Sequence, residues 1–465
     1  MQYISTRGAA PVLGFEDAML SGLARDGGLY VPDHFPEFAP PHIAEMAGLP
    51  YEEVAFRVIW PFLGGAFAED DCRALIAQAY ARIDHPARAP IKQLAPGHFL
   101  LELFHGPTLA FKDFAMQLIG RFFAAALARR GERLTIVGAT SGDTGSAAIE
   151  AFRGLEAVDV FILFPEGRVS EVQRRQMTTP VESNVHAVAV AGDFDACQAR
   201  VKDMFNDFVF RDAVGLAAVN SINWARVLAQ VVYYFTAATA LGAPHRRVDF
   251  CVPTGNFGDV FAGYVARRMG LPIGRLIVAT NRNDILHRAL TTGRYTRESV
   301  TPTTSPSMDI QVSSNFERAL FDAYGRDAGA VTAAMAELKE GGGFAIGQGA
   351  LEALREVFGS GRADEAEVAA AIARTHAETG ELLCPHTAVG VHVAEAHLAA
   401  DASAPMVTLA TAHPAKFPDA VEAASGLRPP LPIRMADLYE RPERVSRVPD
   451  DLAALEDFIR ERRAA

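Results

Sequence analysis

The chain has 465 residues, of which 49% are hydrophobic and 22% charged, a composition typical of globular proteins and not of disordered, fibrous or disulfide-rich ones. A single hydrophobic core does not usually grow to this length, so two or three domains are expected. The formal net charge of -12 disfavours a nucleic-acid partner, and any anionic ligand must therefore be met by local donors.

The cysteines and the apolar runs indicate the compartment. Neither a zinc site nor a disulfide framework is indicated by the wide spacing of the four cysteines, which are Cys72, Cys197, Cys251 and Cys384. Met1 to Leu20 has no apolar run long enough for a signal peptide, and the most apolar uncharged run, Val227 to Leu241, is shorter than a bilayer span. We expect a cytoplasmic protein that binds no metal, no membrane and no nucleic acid.

The N-terminal region combines proline-rich loops with one helical stretch, Glu69 to Ile83. The prolines of the segment His85 to Pro96 disfavour a continuous helix, so we place a domain boundary within it. The sequence thus predicts an α-rich N-terminal domain over 1–92, a second region over 93–430 and a helical C-terminal tail over 431–465.

Lys112 stands among apolar residues in the segment His105 to Phe114. Such surroundings desolvate an amine and lower its pKa, as a Schiff-base lysine requires. A lysine beside aromatic residues more often only packs its stem against them, so this segment alone favours the structural alternative.

Beyond this segment, short β-rich apolar runs alternate with stretches of helical periodicity. The alternation predicts an α/β fold, with mostly parallel, doubly wound sheets covered by helices on both faces. Ligands bind at the carboxyl ends of such strands, so the turns from strand to helix are the candidate sites. The predicted strands are Leu134 to Gly138, Val158 to Phe164, Val185 to Val190, Leu216 to Val219, Val248 to Val252 and Arg275 to Ala279.

The turn after the first of these strands carries the hydroxyl groups of Thr140, Ser141 and Thr144, which suit a carboxylate or a phosphate. The alternative is that Asp143 or Thr144 only caps the following helix. The turn lacks the lysine of a P-loop, which excludes that kind of nucleotide site.

Two later turns also open helices. In Asn220 to Arg226, the arginine could hold two phosphate oxygens or, alternatively, pair with a surface carboxylate. In Thr254 to Asp259, glycines at a helix start allow backbone N–H groups to converge on an anion, and a plain glycine turn is the alternative.

Taken in order, a set of short segments resembles the threonine synthase family, within the tryptophan-synthase-β-like class of pyridoxal-phosphate enzymes. The resemblance covers residues from about 3 to about 425 and includes that family's N-terminal domain. The segments are Tyr3 to Arg7, Asp26 to Pro32, His105 to Phe114, Ser141 to Gly145, Asn220 to Asn223, Pro253 to Asp259, Met308 to Ile310, Ser313 to Glu317 and Thr411 to Phe417.

The resemblance implies pyridoxal 5'-phosphate as the cofactor, carried on Lys112, which also moves the α and β protons of the substrate. It makes 93–430 the catalytic region of two α/β subdomains. The other cofactor contacts that it implies are Asp143, Thr411 at the pyridine nitrogen, and Gly255, Asn256, Phe257, Gly258 and Asp259 around the phosphate. The substrate contacts that it implies are Thr140, Ser141, Thr144, Asn220, Ser221 and Arg226.

The implied reaction, the last step of threonine biosynthesis, converts O-phospho-L-homoserine and water to L-threonine and phosphate by γ-elimination and β-addition of water. The alternatives are a dehydratase or cysteine synthase of the same cofactor class, and a binding protein on the same scaffold that has lost activity. We expect a small-molecule substrate and no obligate protein partner. His386 and His413 are interpreted as structural residues.

Overall fold

The computed structural model describes residues 1–140, 142–217 and 219–463. Its strands, numbered along the chain, are β1 (Tyr3–Ser5), β2 (Tyr30–Pro32), β3 (Ile91–Ala95), β4 (His98–Glu102), β5 (Leu134–Ala139), β6 (Val158–Pro165), β7 (Val185–Val190), β8 (Leu216–Ala217), β9 (Val248–Pro253), β10 (Ile273–Thr280), β11 (Arg294–Thr296), β12 (Gly343–Ala345), β13 (Phe358–Arg362), β14 (Met406–Ala410) and β15 (Ser446–Val448).

The α-helices are α1 (Phe15–Ser21), α2 (Pro40–Ala44), α3 (Tyr51–Ile59), α4 (Glu69–Tyr80), α5 (Lys112–Arg130), α6 (Asp143–Phe152), α7 (Glu171–Thr178), α8 (Phe194–Asn206), α9 (Phe208–Val214), α10 (Trp224–Ala240), α11 (Gly258–Arg268), α12 (Ile285–Thr292), α13 (Phe316–Ala323), α14 (Ala328–Gly341), α15 (Gln348–Val357), α16 (Glu365–Thr379), α17 (Pro385–Ala400), α18 (Pro418–Ser425) and α19 (Leu452–Arg462). None of the described helices is long and apolar enough to cross a membrane.

Two sheets carry the α/β part of the chain. The larger has the order β13-β10-β9-β14-β4-β3, in which only the β3–β4 pair is antiparallel. The smaller has the order β15-β7-β6-β5-β8 and is parallel throughout. The predicted α/β fold with mostly parallel sheets is therefore confirmed, and each predicted strand overlaps one of β5 to β10.

Two expectations need correction at the sheet edges. The proline-rich segment predicted as a linker contains β3, which pairs with β4 through a register shift. The C-terminal tail, predicted as helical, contains α19 but also β15, which extends the smaller sheet beside β7. Edge strands this short carry too few alternating residues for a sequence pattern to reveal them.

Helix α10 is the central element that places the candidate site. Its residues are apolar almost all round, and most of them are buried. It packs against α3 of the N-terminal region and against α5 and α11 of the α/β part. Because α5 and α11, which both begin at candidate site segments, contact this helix, its N-terminus and those segments hold fixed positions relative to one another.

Candidate active site

Lys112 lies at the start of helix α5, in the interior of the protein. The preceding residue, Phe111, donates its N–H to the carbonyl of Thr411 at 2.9 Å, which brings the residue after β14 beside the helix start. The Lys112 side chain is largely buried, and its Nζ donates to Oδ2 of Asp143 at 3.2 Å. The structural alternative required an amine that extends to the surface, and the amine of Lys112 does not.

The surroundings of Lys112 favour its neutral amine. Burial lowers the pKa of Lys112, the Asp143 carboxylate opposes this effect, and the charges of Lys416 and Arg226 add to the lowering. A lowered pKa increases the fraction of neutral amine, which is the form that Schiff-base chemistry needs. The charges of Lys416 and Arg226 therefore both act on Lys112 in one buried region.

Asp143, the first residue of α6, is the centre of a polar network. Its Oδ1 accepts from Lys416 Nζ and from Gln173 Nε2, at 2.7 and 2.8 Å, while Ser307 Oγ donates to its Oδ2 at 3.1 Å. Burial by itself would raise the pKa of Asp143, but Lys112 and Lys416 hold it well below its ordinary value. Asp143 is therefore an ionised carboxylate between two lysines.

Sequence reasoning did not assign Lys416, Ser307 or Gln173 to the site. Lys416 is fully buried, in the segment Thr411 to Phe417. The only signal in the sequence was a lysine among apolar residues and a proline. A charged residue in such surroundings must find a buried partner, and the pattern alone does not say which.

His386 lies next to this network. Its Nε2 accepts the N–H of Ser307 at 3.3 Å, and its ring contacts Phe417 with centroids 4.8 Å apart. Burial lowers the pKa of His386 to about 4, so the ring is neutral at pH 7. Its neutral ring supports the Ser307 backbone and supplies no charge.

The glycine turn between β9 and α11 has a strained backbone. Phe257 has a left-handed conformation, with φ of 63°, which costs a residue with a Cβ roughly 1–2 kcal/mol. A Cβ on Gly255 would lie 2.8 Å from the carbonyl oxygen of Ser307. Strain of this kind persists where the surrounding contacts impose it, and it is typical of ligand-binding turns.

The carbonyl groups of Gly255 and Asn256 in this turn accept hydrogen bonds, whereas the N–H groups of Asn256 and Phe257 donate to no described residue. The carbonyl of Gly255 accepts from Ser313 Oγ at 2.6 Å, and that of Asn256 accepts from the N–H and the Nδ2 of Asn315 at 3.1 and 2.9 Å. Within the described residues, nothing accepts a hydrogen bond from the N–H of Asn256 or Phe257. Free N–H groups at a helix start form an anion-binding site.

Asp259 does not direct its side chain to that site. Its Oδ1 accepts from the hydroxyls of Tyr233 and Tyr234 on helix α10, at 2.5 and 3.2 Å. Burial raises the pKa of Asp259 to about 7, against the opposing effect of these hydrogen bonds. The contact with the cofactor phosphate that was predicted for Asp259 is thus available only to its backbone.

Arg226 lies in the first turn of α10, which begins at Trp224 and therefore within the segment that was predicted as the turn before the helix. It is 2% exposed, and its Nε and Nη1 have no hydrogen-bond partner. None of the ion pairs in the described part of the chain includes it, which is against the alternative of a surface pair. Burial lowers the pKa of Arg226 to about 10, so at neutral pH it is a buried cation without a counter-ion.

The turn before α6 is shaped by its own threonine. Oγ1 of Thr140 accepts the N–H groups of Gly142 and Gly145, each at 2.9 Å. The helix has Gly142 at its N-cap without a side-chain cap, so the alternative of capping by Asp143 or Thr144 is not what the structure has. Thr144 is half-buried, and Ser141 lies outside the described residues.

In the turn before α10, Asn220 is exposed, and its Oδ1 accepts the N–H of Ile222 at 3.3 Å. Ser221 is half-buried, and its carbonyl accepts from Asn315 Nδ2 at 3.0 Å. The same asparagine therefore contacts this turn and the glycine turn. The structure brings together all the predicted site segments that it describes.

Comparisons with known proteins decide the family. The threonine synthase N-terminus model matches residues 2–80, the pyridoxal-phosphate-dependent enzyme model 87–340, and the threonine synthase C-terminal model 387–459. The threonine synthase of Pseudomonas aeruginosa is 54% identical over 460 residues, which are 99% of this chain and 98% of that protein. The chain belongs to the threonine synthase family.

Solved threonine synthases have the same fold. A structure of the pyridoxal-phosphate-bound threonine synthase from Brucella melitensis is 57% identical, with a TM-score of 0.98 and full coverage of both chains. The yeast threonine synthase is 39% identical, with a TM-score of 0.94, and covers 99% of this chain and 98% of its own. The resemblance and the cofactor inferred from the sequence are thereby confirmed.

The residues of this chain fit pyridoxal phosphate, which has an aldehyde and a phosphate group. Lys112 supplies a buried amine with a lowered pKa for the aldehyde. The turn at 255–258 supplies N–H groups for the phosphate that have no acceptor among the described residues, and a Cβ on Gly255 would displace this turn, since it would lie 2.8 Å from the Ser307 carbonyl oxygen. When bound, the cofactor supplies an electron sink for carbanions.

Proposed function

We propose that this enzyme converts O-phospho-L-homoserine and water to L-threonine and phosphate. The observation that carries the proposal is Arg226, a buried cation without an ion pair among the described residues, separate from the glycine turn. Its charge acts at the same place as the amine of Lys112, whose pKa it helps to lower. A substrate with its own phosphate needs such a second anion site beside the one for the cofactor.

The glycine turn and Thr411 form the cofactor side of the site. Gly255, Asn256, Phe257 and Gly258, with the backbone of Asp259, hold the cofactor phosphate at the start of α11. The hydroxyl of Thr411 would donate a hydrogen bond to the pyridine nitrogen. This role is supported by its position beside Phe111, which precedes Lys112. A hydroxyl, unlike a carboxylate, does not hold that nitrogen protonated.

The substrate side of the site is assigned from the positive charge of Arg226. Arg226, with Asn220 and Ser221, binds the substrate phosphate, because a guanidinium can hold two phosphate oxygens at once. The turn with Thr140, Ser141 and Thr144 binds the α-carboxylate. With both ends of the substrate held, its Cα and Cβ stand within reach of Lys112.

Lys112 Nζ moves the protons. It takes one from Cα and one from Cβ, after which the bond from Cγ to the phosphate oxygen breaks and Arg226 keeps the departing phosphate. Lys112 then returns one proton to Cγ and one to Cα, while water adds its hydroxyl at Cβ and its remaining proton goes to the departing phosphate. One amine can serve these steps in turn because burial lowers its pKa and so makes its neutral form more accessible than that of a free lysine.

Asp143 and Lys416 support these proton transfers by Lys112. Asp143 holds Lys112 Nζ by a hydrogen bond of 3.2 Å. Whenever Lys112 is neutral, Asp143 still has Lys416 at 2.7 Å as its counter-ion. Deprotonation of Lys112 therefore leaves no unpaired buried carboxylate, which would be costly.

A cytoplasmic location is also proposed. It is supported by the four cysteines, which are all buried and unpaired, as is usual for proteins of a reducing compartment.

The test is phosphate release from O-phospho-L-homoserine by the purified, cofactor-loaded protein, with chromatography of the amino-acid product. We expect L-threonine and phosphate in equal amounts, and no turnover of L-homoserine, which lacks the phosphate. Cofactor-loaded protein that releases no phosphate contradicts the proposal. Release of phosphate together with a 2-oxo acid and ammonia would instead indicate a deaminating relative.

A further inference from the structure

The segment from Ser313 to Arg318 belongs to no step of the proposed function, although most of it is part of the resemblance. Asn315 is fully buried, and its side-chain amide donates to the carbonyl of Ser221 at 3.0 Å and to that of Asn256 at 2.9 Å. These carbonyls belong to the two turns assigned to different phosphates. A single side chain therefore joins the substrate turn to the cofactor turn.

Arg318, in helix α13, completes this connection. Its guanidinium is fully buried and donates to Oδ1 of Asn315, to the carbonyl of Ile222 at 2.6 Å, and to the carbonyl of Tyr30 at 2.8 and 3.1 Å. It forms no ion pair with a carboxylate in the part of the chain that the structure describes. We call Asn315 and Arg318 the carbonyl clamp, because on both turns they bind carbonyl oxygens.

The carbonyl clamp orients the peptide groups of both turns. In a trans peptide the carbonyl and the following N–H point in opposite directions. The clamp on the carbonyl of Asn256 therefore turns the N–H of Phe257 to the other side, where an anion is attracted. The same bonds fix how far apart the two turns stand, since both end on one asparagine.

The clamp is also anchored to the N-terminal domain. Tyr30, whose carbonyl binds Arg318, begins strand β2. The neighbouring Glu317 accepts from Thr6 Oγ1 at 2.6 Å and from Arg7 at 2.9 Å. The N-terminal strands thus hold helix α13, and through it the clamp, in place.

We propose that the carbonyl clamp is a positioning unit that sets the distance between the two phosphate sites and so selects the chain length of the phosphorylated amino acid. The inference rests on the proposed function, because it needs one turn for each phosphate. Lys112 and the cofactor fix where Cα stands. The position of the second turn then decides how many bonds separate Cα from the phosphorus atom.

Two phosphonate amino acids provide the test. Their carbon–phosphorus bond is not broken by the enzyme, so they bind without reacting. The first, 2-amino-5-phosphonopentanoate, has the chain length of O-phospho-L-homoserine, and the second, 2-amino-4-phosphonobutanoate, is one atom shorter. Their Kd values are measured on the cofactor-loaded protein from the change in cofactor absorbance. We expect the parent to prefer the longer compound and Asn315→Asp to reduce this preference roughly tenfold or more, which corresponds to at least about 1.4 kcal/mol.

Asn315→Asp keeps the size of the side chain and its contact with Arg318, but puts an oxygen against the two carbonyls. Ser313→Ala is the matched control, since within the described residues the hydrogen bond of Ser313 Oγ goes to the cofactor turn alone, at Gly255. The control should bind the cofactor more weakly and keep the length preference. Asn315→Ala is the second variant, with the same expected effect on the preference, should Asn315→Asp not fold.

Two results overturn the proposal: equal weakening of both phosphonates with the preference unchanged, or a parent protein without any length preference. A merely structural role would produce the first of them. Failure of the proposed function is distinguishable, because it appears as a parent protein that releases no phosphate from O-phospho-L-homoserine. The phosphonate preference can be measured in either case.

Discussion

Replacing Arg226 by leucine should stabilise the ligand-free protein and slow the enzyme. Burial lowers the pKa of Arg226 to about 10, against about 12.5 or more for a free arginine. A tenfold change in an equilibrium is about 1.4 kcal/mol, so burying this charge costs on the order of 3 kcal/mol. The cost is present at neutral pH, because the guanidinium is charged below about pH 10. Leucine removes the charge but fills less space, so we expect a net gain of about 1–2 kcal/mol and a higher Tm of the apoprotein.

The same substitution should lower kcat/KM for O-phospho-L-homoserine by roughly 30-fold to 900-fold, the equivalent of about 2–4 kcal/mol for a lost charged partner. The cofactor absorbance should stay unchanged, because the cofactor phosphate is assigned to another turn. Arg226→Lys keeps the charge but not the two-pronged geometry, and should lose less activity. Inorganic phosphate should raise the Tm of the cofactor-loaded parent and not that of Arg226→Leu.

The matched control is Arg121→Leu, which removes a half-buried arginine of helix α5 whose charge acts on Arg82. It should leave kcat/KM close to that of the parent. The reasoning about Arg226 is refuted by a loss of tenfold or less in kcat/KM, or by loss of the cofactor from the variant. A lower Tm of the apoprotein would refute the stability part separately.

Three further predictions concern the cofactor side. Lys112→Ala should abolish the cofactor absorbance band of the enzyme and its fixation by borohydride, and a band like that of the parent would place the cofactor on another lysine. Gly255→Val should lose cofactor on dialysis while the apoprotein stays folded, because its Cβ would lie 2.8 Å from the Ser307 carbonyl oxygen and would displace the turn assigned to the cofactor phosphate. Full cofactor occupancy after dialysis would contradict this. Lys416→Met removes a charge that adds to the lowering of the Lys112 pKa by burial, so that pKa should rise. The pH midpoint for cofactor capture by the apoprotein should then move to higher pH, and an unmoved midpoint would show that Lys416 does not act on Lys112.

Local patterns of the sequence were sufficient for the α/β architecture and for the positions of the functional turns. The runs that became β6, β7 and β9, and the middle of β5, are buried on both faces, and such strands read as continuous apolar segments. The turn at 254–259 was found because glycine and a helix start are local features. Lys112 was assigned from its family-like segment, since its apolar neighbours alone favoured a structural role.

Only the tertiary structure decided which side chains meet. Lys416 and Ser307 reach Asp143 from distant parts of the chain, and Asn315 joins two turns that the sequence keeps apart. Asp259 illustrates the same limit, since its place in the turn was predictable but its contact with the tyrosines of α10 was not. The physical reason is that periodicity and turn chemistry depend on neighbouring residues along one segment. The partner of a buried polar group is instead determined by how separate elements pack, and the free energy of desolvation then requires that a partner be found.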